Sequence, residues 1–539
     1  MPRLLVLTSL LLVLVMAPVA NASSRQETMF QDDADTHSLV YGSPEEVSAE
    51  IARLKALGVD RLRITVSWGL VAPDVESSTR PNFEASDPNA YPAHAWDRYD
   101  TIVRDAAAVG MAVNFNVSTP APKWARERAP SHAASPVEDE RFGSAYKIKS
   151  NEFYSFMYAL GRRYAGDWTD PSPPPGASAI LPRVSYWSIW NEPNRFTWMA
   201  PQWKRVGRTW VPAAMVRYRA MVDAAWGALG RTGHRRDTFL VGELASTGVA
   251  GHARLSFLKP LSFVRGLYCL DRNYRTLRGR FARLNGCPAS GSRTAIRRAH
   301  PGLFSLTGWS HHPYSFLSAP GITEPDPNSA VLADLGRLEQ TLDRVFRSFG
   351  SRRRLGLYLT EYGYQTRPPD PYQLFTPAEQ AIFLDQATWM TMRDPRVRAL
   401  SQYLLRDAPP NRSKPQSSPV YWETFQTGLL YADGRPKPSL GAYRLPLWLR
   451  APTVPRGGVL PVWGMVRPAT GGRRVTVSVE LKRTGETRFR TVRKLTFATP
   501  RGAFALTLRP SRSGAVRFAW RSRGRTFHSR TATFSVRSR

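Results

Sequence analysis

Two glutamates of this 539-residue chain stand in matching surroundings. Glu192 closes the apolar run of WSIWNEPN, between Asn191 and Pro193, and Glu361 closes the apolar run of LYLTEYGYQT. Cleavage of a glycosidic bond needs two carboxyl groups, one to protonate the leaving oxygen and one to attack the sugar carbon or activate water. These two glutamates are the candidates. Glu243 also ends an apolar run, TFLVGE, but nothing around it resembles a catalytic pattern, so it reads as structural or substrate-contacting.

Carboxyls far apart in sequence can meet only if a fold brings their strand ends together. Short β-rich runs alternate with longer amphipathic stretches up to about residue 445, the order that implies parallel strands joined by helices. In the first complete unit, Ser43 and Glu46 form a capping box around Pro44, Val47, Ile51 and Leu54 make one apolar face, and Gly58 ends the helix. The strand RLRITVSW follows, with Leu62, Ile64 and Val66 alternating with Arg63, Thr65 and Ser67. Further strands are expected at 29–31, 111–117, 184–190, 238–243, 306–312, 355–361 and 399–405. The count suits a closed (β/α)8 TIM barrel, an α/β fold, over 23–446, with the active face at the C-terminal strand ends. Glu192 and Glu361 then belong to the fourth and seventh strands. Arg63 shares a face with Thr65 and Ser67, opposite the aliphatics, and should point into the barrel. A buried guanidinium demands a carboxylate, and Glu361 is the expected one.

From about residue 27 to 445 the chain resembles glycoside hydrolase clan A, on the combination of WxIWNEPN and LTEYG. Within the clan, NEPNRFTWMAPQ resembles family 39, and TGLLYADGRPKPSLGAYR is common in family 5 and family 39 barrels. The resemblance implies a retaining double displacement, with Glu192 as acid/base and Glu361 as nucleophile. It implies that Asn191 bonds the sugar 2-hydroxyl, that Tyr314 in WSHHPY bonds the nucleophile, and that His312 lines the cleft. An acid must hold its proton, so Glu192 should have a raised pKa. No metal or organic cofactor is needed. Trp68, Trp124, Trp198 and Trp203 fall in loops where sugar-stacking platforms form. The clan often carries a Trp at the end of the eighth strand; here that strand reads LLRDAP, and Trp422 in the following loop is the substitute. The substrate is a polysaccharide or oligosaccharide, and the competing reading is an inactive barrel that only binds carbohydrate.

The flanks add a location and a second domain. Arg3, an apolar run from Leu4 to Met16, and Ala20-Asn21-Ala22 have the layout of a signal peptide over 1–22, which implies a secreted or cell-surface protein with no transmembrane segment after cleavage. LWLRAPTVPRGG reads as a linker over 447–457. Beyond it, alternating runs such as VTVSVEL and AVRFAW predict a small immunoglobulin-like β-sandwich over 458–539. The formal net charge of +33 attracts polyanions, and this small domain holds roughly twenty Arg and Lys against two Glu. An anionic cell-surface polymer therefore fits it. The charge is dispersed rather than striped, so nucleic acid is not an expected partner. Cys269 and Cys287 are the only cysteines, and sequence leaves open whether they pair or stay free.

Overall fold

The computed structural model describes residues 23, 25–33, 39–130, 136–252, 255–469 and 471–537, so the segment read as a signal peptide lies outside the described residues. Ten strands lie in the first part of the chain: β1 Glu27–Gln31, β2 Arg61–Ser67, β3 Ala112–Ser118, β4 Tyr186–Ile189, β5 Trp203–Val206, β6 Thr209–Pro212, β7 Thr238–Ala245, β8 Gly308–His312, β9 Gly356–Leu359 and β10 Val397–Tyr403. All but the β5–β6 hairpin close into a parallel barrel in the order β1-β10-β9-β8-β7-β4-β3-β2. The barrel expected from the eight strand segments is the one that forms.

Alternation within each strand decides what faces inward. Leu62, Ile64 and Val66 of β2 are fully buried against the helices, in one core with Ile51, Leu54, Phe115 and Leu160. Arg63, Asn114 and Asn116 take the other face, and the β2–β3 register sets Arg63 beside Asn114. The first helix, Pro44–Ala56, has the expected capping box of Ser43 and Glu46. It ends at Gly58, whose φ of 86° suits glycine, and whose missing Cβ makes room for Pro468 of the second domain.

The C-terminal strands are β11 Leu447–Leu449, β12 Thr453–Pro455, β13 Leu460–Met465, β14 Val475–Arg483, β15 Arg490–Phe497, β16 Ala503–Leu508, β17 Gly514–Ser522, β18 Arg525–His528 and β19 Ala532–Arg537. One sheet runs β11-β13-β16; the other runs β12-β19-β17-β14-β15, with β18 on β17. Val462, Phe504 and Leu506 of the first sheet share a core with Val477, Val516 and Phe518 of the second, which makes the unit a β-sandwich. The stretch expected as a linker contains β11 and β12: its alternating Leu447 and Leu449 are apolar enough to be sheet, and they fill the sandwich core.

The sandwich is docked on the barrel. Arg501 pairs with Asp60 at 2.8 Å and Arg530 with Asp385 at 2.6 Å. Met392 packs with Trp463, Met465 and Ala503, flanked by Trp389 and Trp448. Cys269 and Cys287 form a disulfide with Cα atoms 5.9 Å apart, within the usual span. Closing a loop of this length contributes about 3 kcal/mol in the chain-entropy account. No helix among the described residues is long and apolar enough to cross a membrane.

Candidate active site

Both glutamates emerge at the C-terminal rim, and the chain bends sharply to present the first. Beyond β4, Trp190 has φ 64° and Glu192 φ 32°. Such backbone costs about 1–3 kcal/mol per residue and persists only where the surroundings impose it. Here Asn116 Nδ2 donates to the Trp190 carbonyl at 2.7 Å. Asn194 ties the same turn to β7, accepting from the Ala245 amide at 2.9 Å and donating to the Leu258 carbonyl at 3.0 Å. The second Asn of NEPN is thus a buried strut.

His312, the last residue of β8, lies between the two glutamates. Its Nδ1 is 3.1 Å from Glu192 Oε1 and 2.9 Å from Glu361 Oε2. One ligand-type atom from each of the three residues lies within 4.8 Å of the others, a set that could also hold a metal ion. The expected pair therefore does converge, and His312 is its bridge.

The arginine's partner differs from expectation. Arg63 Nη2 pairs with Glu243 Oε2 at 2.8 Å and donates to Asn191 Oδ1 at 2.7 Å, while Nη1 donates to Gln31 Oε1. Glu361 finds its cation in His312 instead. Geometry explains the exchange: β7 carries a bulge between Gly242 and Leu244, and the extra residue, Glu243, turns inward with φ 49°. Gly242 permits this, since a Cβ there would lie 2.3 Å from the Ser310 carbonyl oxygen. Glu243 Oε2 then accepts from Arg63, from His312 Nε2 at 2.8 Å and from Thr360 Oγ1 at 2.9 Å.

The charges follow from these contacts. Burial alone would raise the Glu192 carboxyl, but Arg195, the His312 hydrogen bond and Arg63 outweigh it and hold the group below its usual range. This reverses the expected elevation. Burial would likewise discharge His312, yet Glu361 and its bonds to Glu192, Glu243 and Glu361 hold its pKa well above the ordinary value. Glu243 is kept far below the carboxylate range, with Arg63 and His312 overcoming its burial.

The remaining expected residues divide. Asn191 is at the site, oriented by Arg63. Tyr314 is buried and stacked on Phe316 and Tyr362; its hydroxyl is raised by burial and then by the Glu361 charge, but no hydrogen bond joins it to Glu361 among the described residues. Trp68 and Trp124 are not platforms: both are fully buried, edge to face at 6.0 Å, with Trp68 also stacked on Phe156. Both sit in short turns after β2 and β3 and pack into the barrel core with Phe153 and Phe156. Trp198 and Trp203 are half-buried, packed on the core. Trp422 is half-buried in a short turn, Pro419–Trp422, and donates to the Gln416 carbonyl at 3.2 Å. The eighth barrel strand ends at Tyr403, two residues before the expected limit. Tyr403 is buried, edge to face with Phe425, and its hydroxyl is raised by burial and the Glu361 charge.

Sequence reading missed Gln31, Thr360, Arg195 and Tyr403, and took Glu243 only as structural or substrate-contacting. For Glu243 a signal existed, because a glycine inside a strand marks a bulge or a close approach. Trp210, on β6, was also missed; it is 42% exposed and stacked on His252 at 5.5 Å.

Neither a family model nor a curated protein matches the chain. Among solved structures, a β-glycosidase from Thermosphaera aggregans is 14% identical with a TM-score of 0.41, covering 78% of this chain and 95% of its own. A β-glucosidase from Thermotoga maritima is 13% identical with a TM-score of 0.39, covering 72% and 81%. A GH5_18 protein from Streptomyces cattleya, solved with GlcNAc, is 14% identical with a TM-score of 0.35, covering 77% and 78%.

Proposed function

We propose that the protein is a retaining glycoside hydrolase, exported by its 1–22 leader, that cleaves a β-linked glycan. The approach of Glu192 and Glu361 carries the reading: both reach the same His312 nitrogen, and one oxygen of each lies within 4.8 Å of the other, a closeness that supports the ~5–5.5 Å pairs that form a covalent intermediate. Glu361 attacks the anomeric carbon while Glu192 protonates the departing oxygen. Glu192 then takes a proton from water, whose oxygen displaces Glu361 and releases the sugar. Asn191, its Oδ1 held by Arg63, has its amide N–H groups left to donate to the sugar 2-hydroxyl.

The test is Glu361→Gln assayed on aryl β-glycosides and a glycan panel. Loss of turnover with a folded protein is expected; full activity would sink the assignment.

For the basic sandwich we propose an anionic polymer as partner. Lys55, Arg473, Arg474, Arg521 and Arg523 line a groove at the seam between the first helix and the sandwich. Retention of the full chain on an acidic polysaccharide should fall with salt, and fall further in Arg521→Glu/Arg523→Glu. Salt-insensitive retention would remove this partner.

A further inference from the structure

Glu243 is a carboxylate at the bottom of the site to which the two-glutamate reaction assigns no task. It is fully buried, on a left-handed backbone at the β7 bulge, and its Oε2 gathers three donors. Those donors connect it to Asn191, Glu192 and Glu361. Arg63 orients Asn191, His312 touches both catalytic candidates, and Thr360 is the residue before Glu361. A structural carboxylate neutralising Arg63 would need only the first contact.

The bond to His312 Nε2 has a specific consequence. An imidazole whose Nε2–H is committed to a carboxylate can face two further carboxyls through Nδ1 only if a proton lies between them, on the ring or on one of the carboxyls. From the proposed glycosidase reading, on which this step rests, we infer that Glu243 is a positioning residue that fixes His312 as an imidazolium between Glu192 and Glu361, so that His312 stores the proton Glu192 delivers. The transfer moves one proton from Nδ1 to Glu192 Oε1, leaving a neutral imidazole that keeps its Nε2–H on Glu243. Glu192 passes that proton to the glycosidic oxygen. In the second half-reaction the proton taken from water returns by the same route.

The groups facing His312 are consistent with this duty. Glu192 comes from the β4 end, Glu243 from β7 and Glu361 from the β9 end, three carboxylates against one ring. Arg63 of β2 lies behind Glu243, and Arg195 stands 3.5 Å from the Glu192 Oε2. His311, next on the same strand, is turned away onto the Ala330 carbonyl, and burial holds it neutral, with a pKa lowered to about 4. Removing the Glu243 charge takes away one of the three carboxylates against the ring and leaves the Arg63 charge less compensated, so the imidazolium loses its proton at lower pH.

The experiment compares the full-length protein with Glu243→Gln, which keeps the shape and deletes the charge. The 15N imidazole signals of His312 are identified by their loss in His312→Asn and followed with pH. Both His312 nitrogens should be protonated at pH 7.5 in the native protein, and in Glu243→Gln the ring should deprotonate at least one pH unit lower. In kcat/KM on an aryl glycoside, the alkaline limb should move down by the same amount, a shift that mere loss of packing would not produce. A native His312 that is neutral at pH 7.5, or a titration unchanged in Glu243→Gln, overturns the inference. If the variant does not fold, the native titration alone decides. The NMR readout needs no substrate, so failure of the glycosidase reading and failure of this one are separately visible.

Discussion

His312 Nε2 and Glu243 Oε2 lie 2.8 Å apart at the floor of the barrel mouth, both without solvent exposure. Below them the Glu243 charge is met by Arg63, also fully buried. Removing one partner of such a pair leaves an uncompensated charge, which costs about 3–5 kcal/mol. Arg63→Met should therefore lower the urea midpoint strongly and abolish activity, whereas Glu361→Gln, after which His312 keeps Glu192 and Glu243, should lower it far less. Equilibrium unfolding of the two variants checks the contrast.

Glu192→Gln removes the group assigned to proton delivery. General acid catalysis is worth about 10²–10⁴ in rate, and its loss is felt least when the leaving group departs unaided. The variant should lose most of its turnover on alkyl or sugar leaving groups, and far less of the first step on an activated aryl glycoside. Burst kinetics on the two substrate types measure this.

Tryptophans at the two locations should behave oppositely. Trp124→Ala empties a buried site and should cost about 3–5 kcal/mol with little change in KM for the correctly folded fraction. Trp210→Ala, on the half-exposed hairpin indole, should leave Tm within about a degree and raise KM for long glycans, if the ring stacks on a sugar. An unchanged KM across all chain lengths would remove Trp210 from the binding surface.

The contact between the domains carries a pH signature. Burial raises the Asp385 carboxyl to about 7, against the pull of Arg530. A group raised on folding stabilises fully below its unfolded pKa, near 4, and that contribution is lost as pH rises through about 7. The Tm of the native protein should fall between pH 4 and 7 more steeply than that of Asp385→Asn. Parallel Tm profiles for the two proteins would contradict this.

The barrel was legible because period-2 strands and capped helices are local patterns, and RLRITVSW with its preceding capping box declares both its faces. The meeting of Glu192 and Glu361 was legible because NEPN and LTEYG sit at strand ends. What lay hidden was which residues of other strands those glutamates would meet. Arg63 faces inward as its alternation requires, but its choice of Glu243 over Glu361 depends on one extra residue in β7, which slips the register and brings a new side chain to the axis. The elevated pKa expected for Glu192 followed from its assigned role alone, whereas Arg195, three residues along the chain, and His312, brought across from β8, hold the group down. Trp68 and Trp124 were misplaced because an indole after a strand can serve core or cleft, and only packing decides. The supposed linker failed because Pro and Gly also occur between the short strands of a sheet.

The sandwich grips the barrel at Gly58 and Asp60, just ahead of β2, and near Met392, at the close of a crossover helix. These points belong to the N-terminal end of the parallel strands, and the glutamates open at the other. A polymer lodged in the arginine-lined seam would hold the molecule by its heel, with its mouth turned outward. The material that tethers the protein would then be out of its own reach, and what it cuts would have to arrive from the opposite direction.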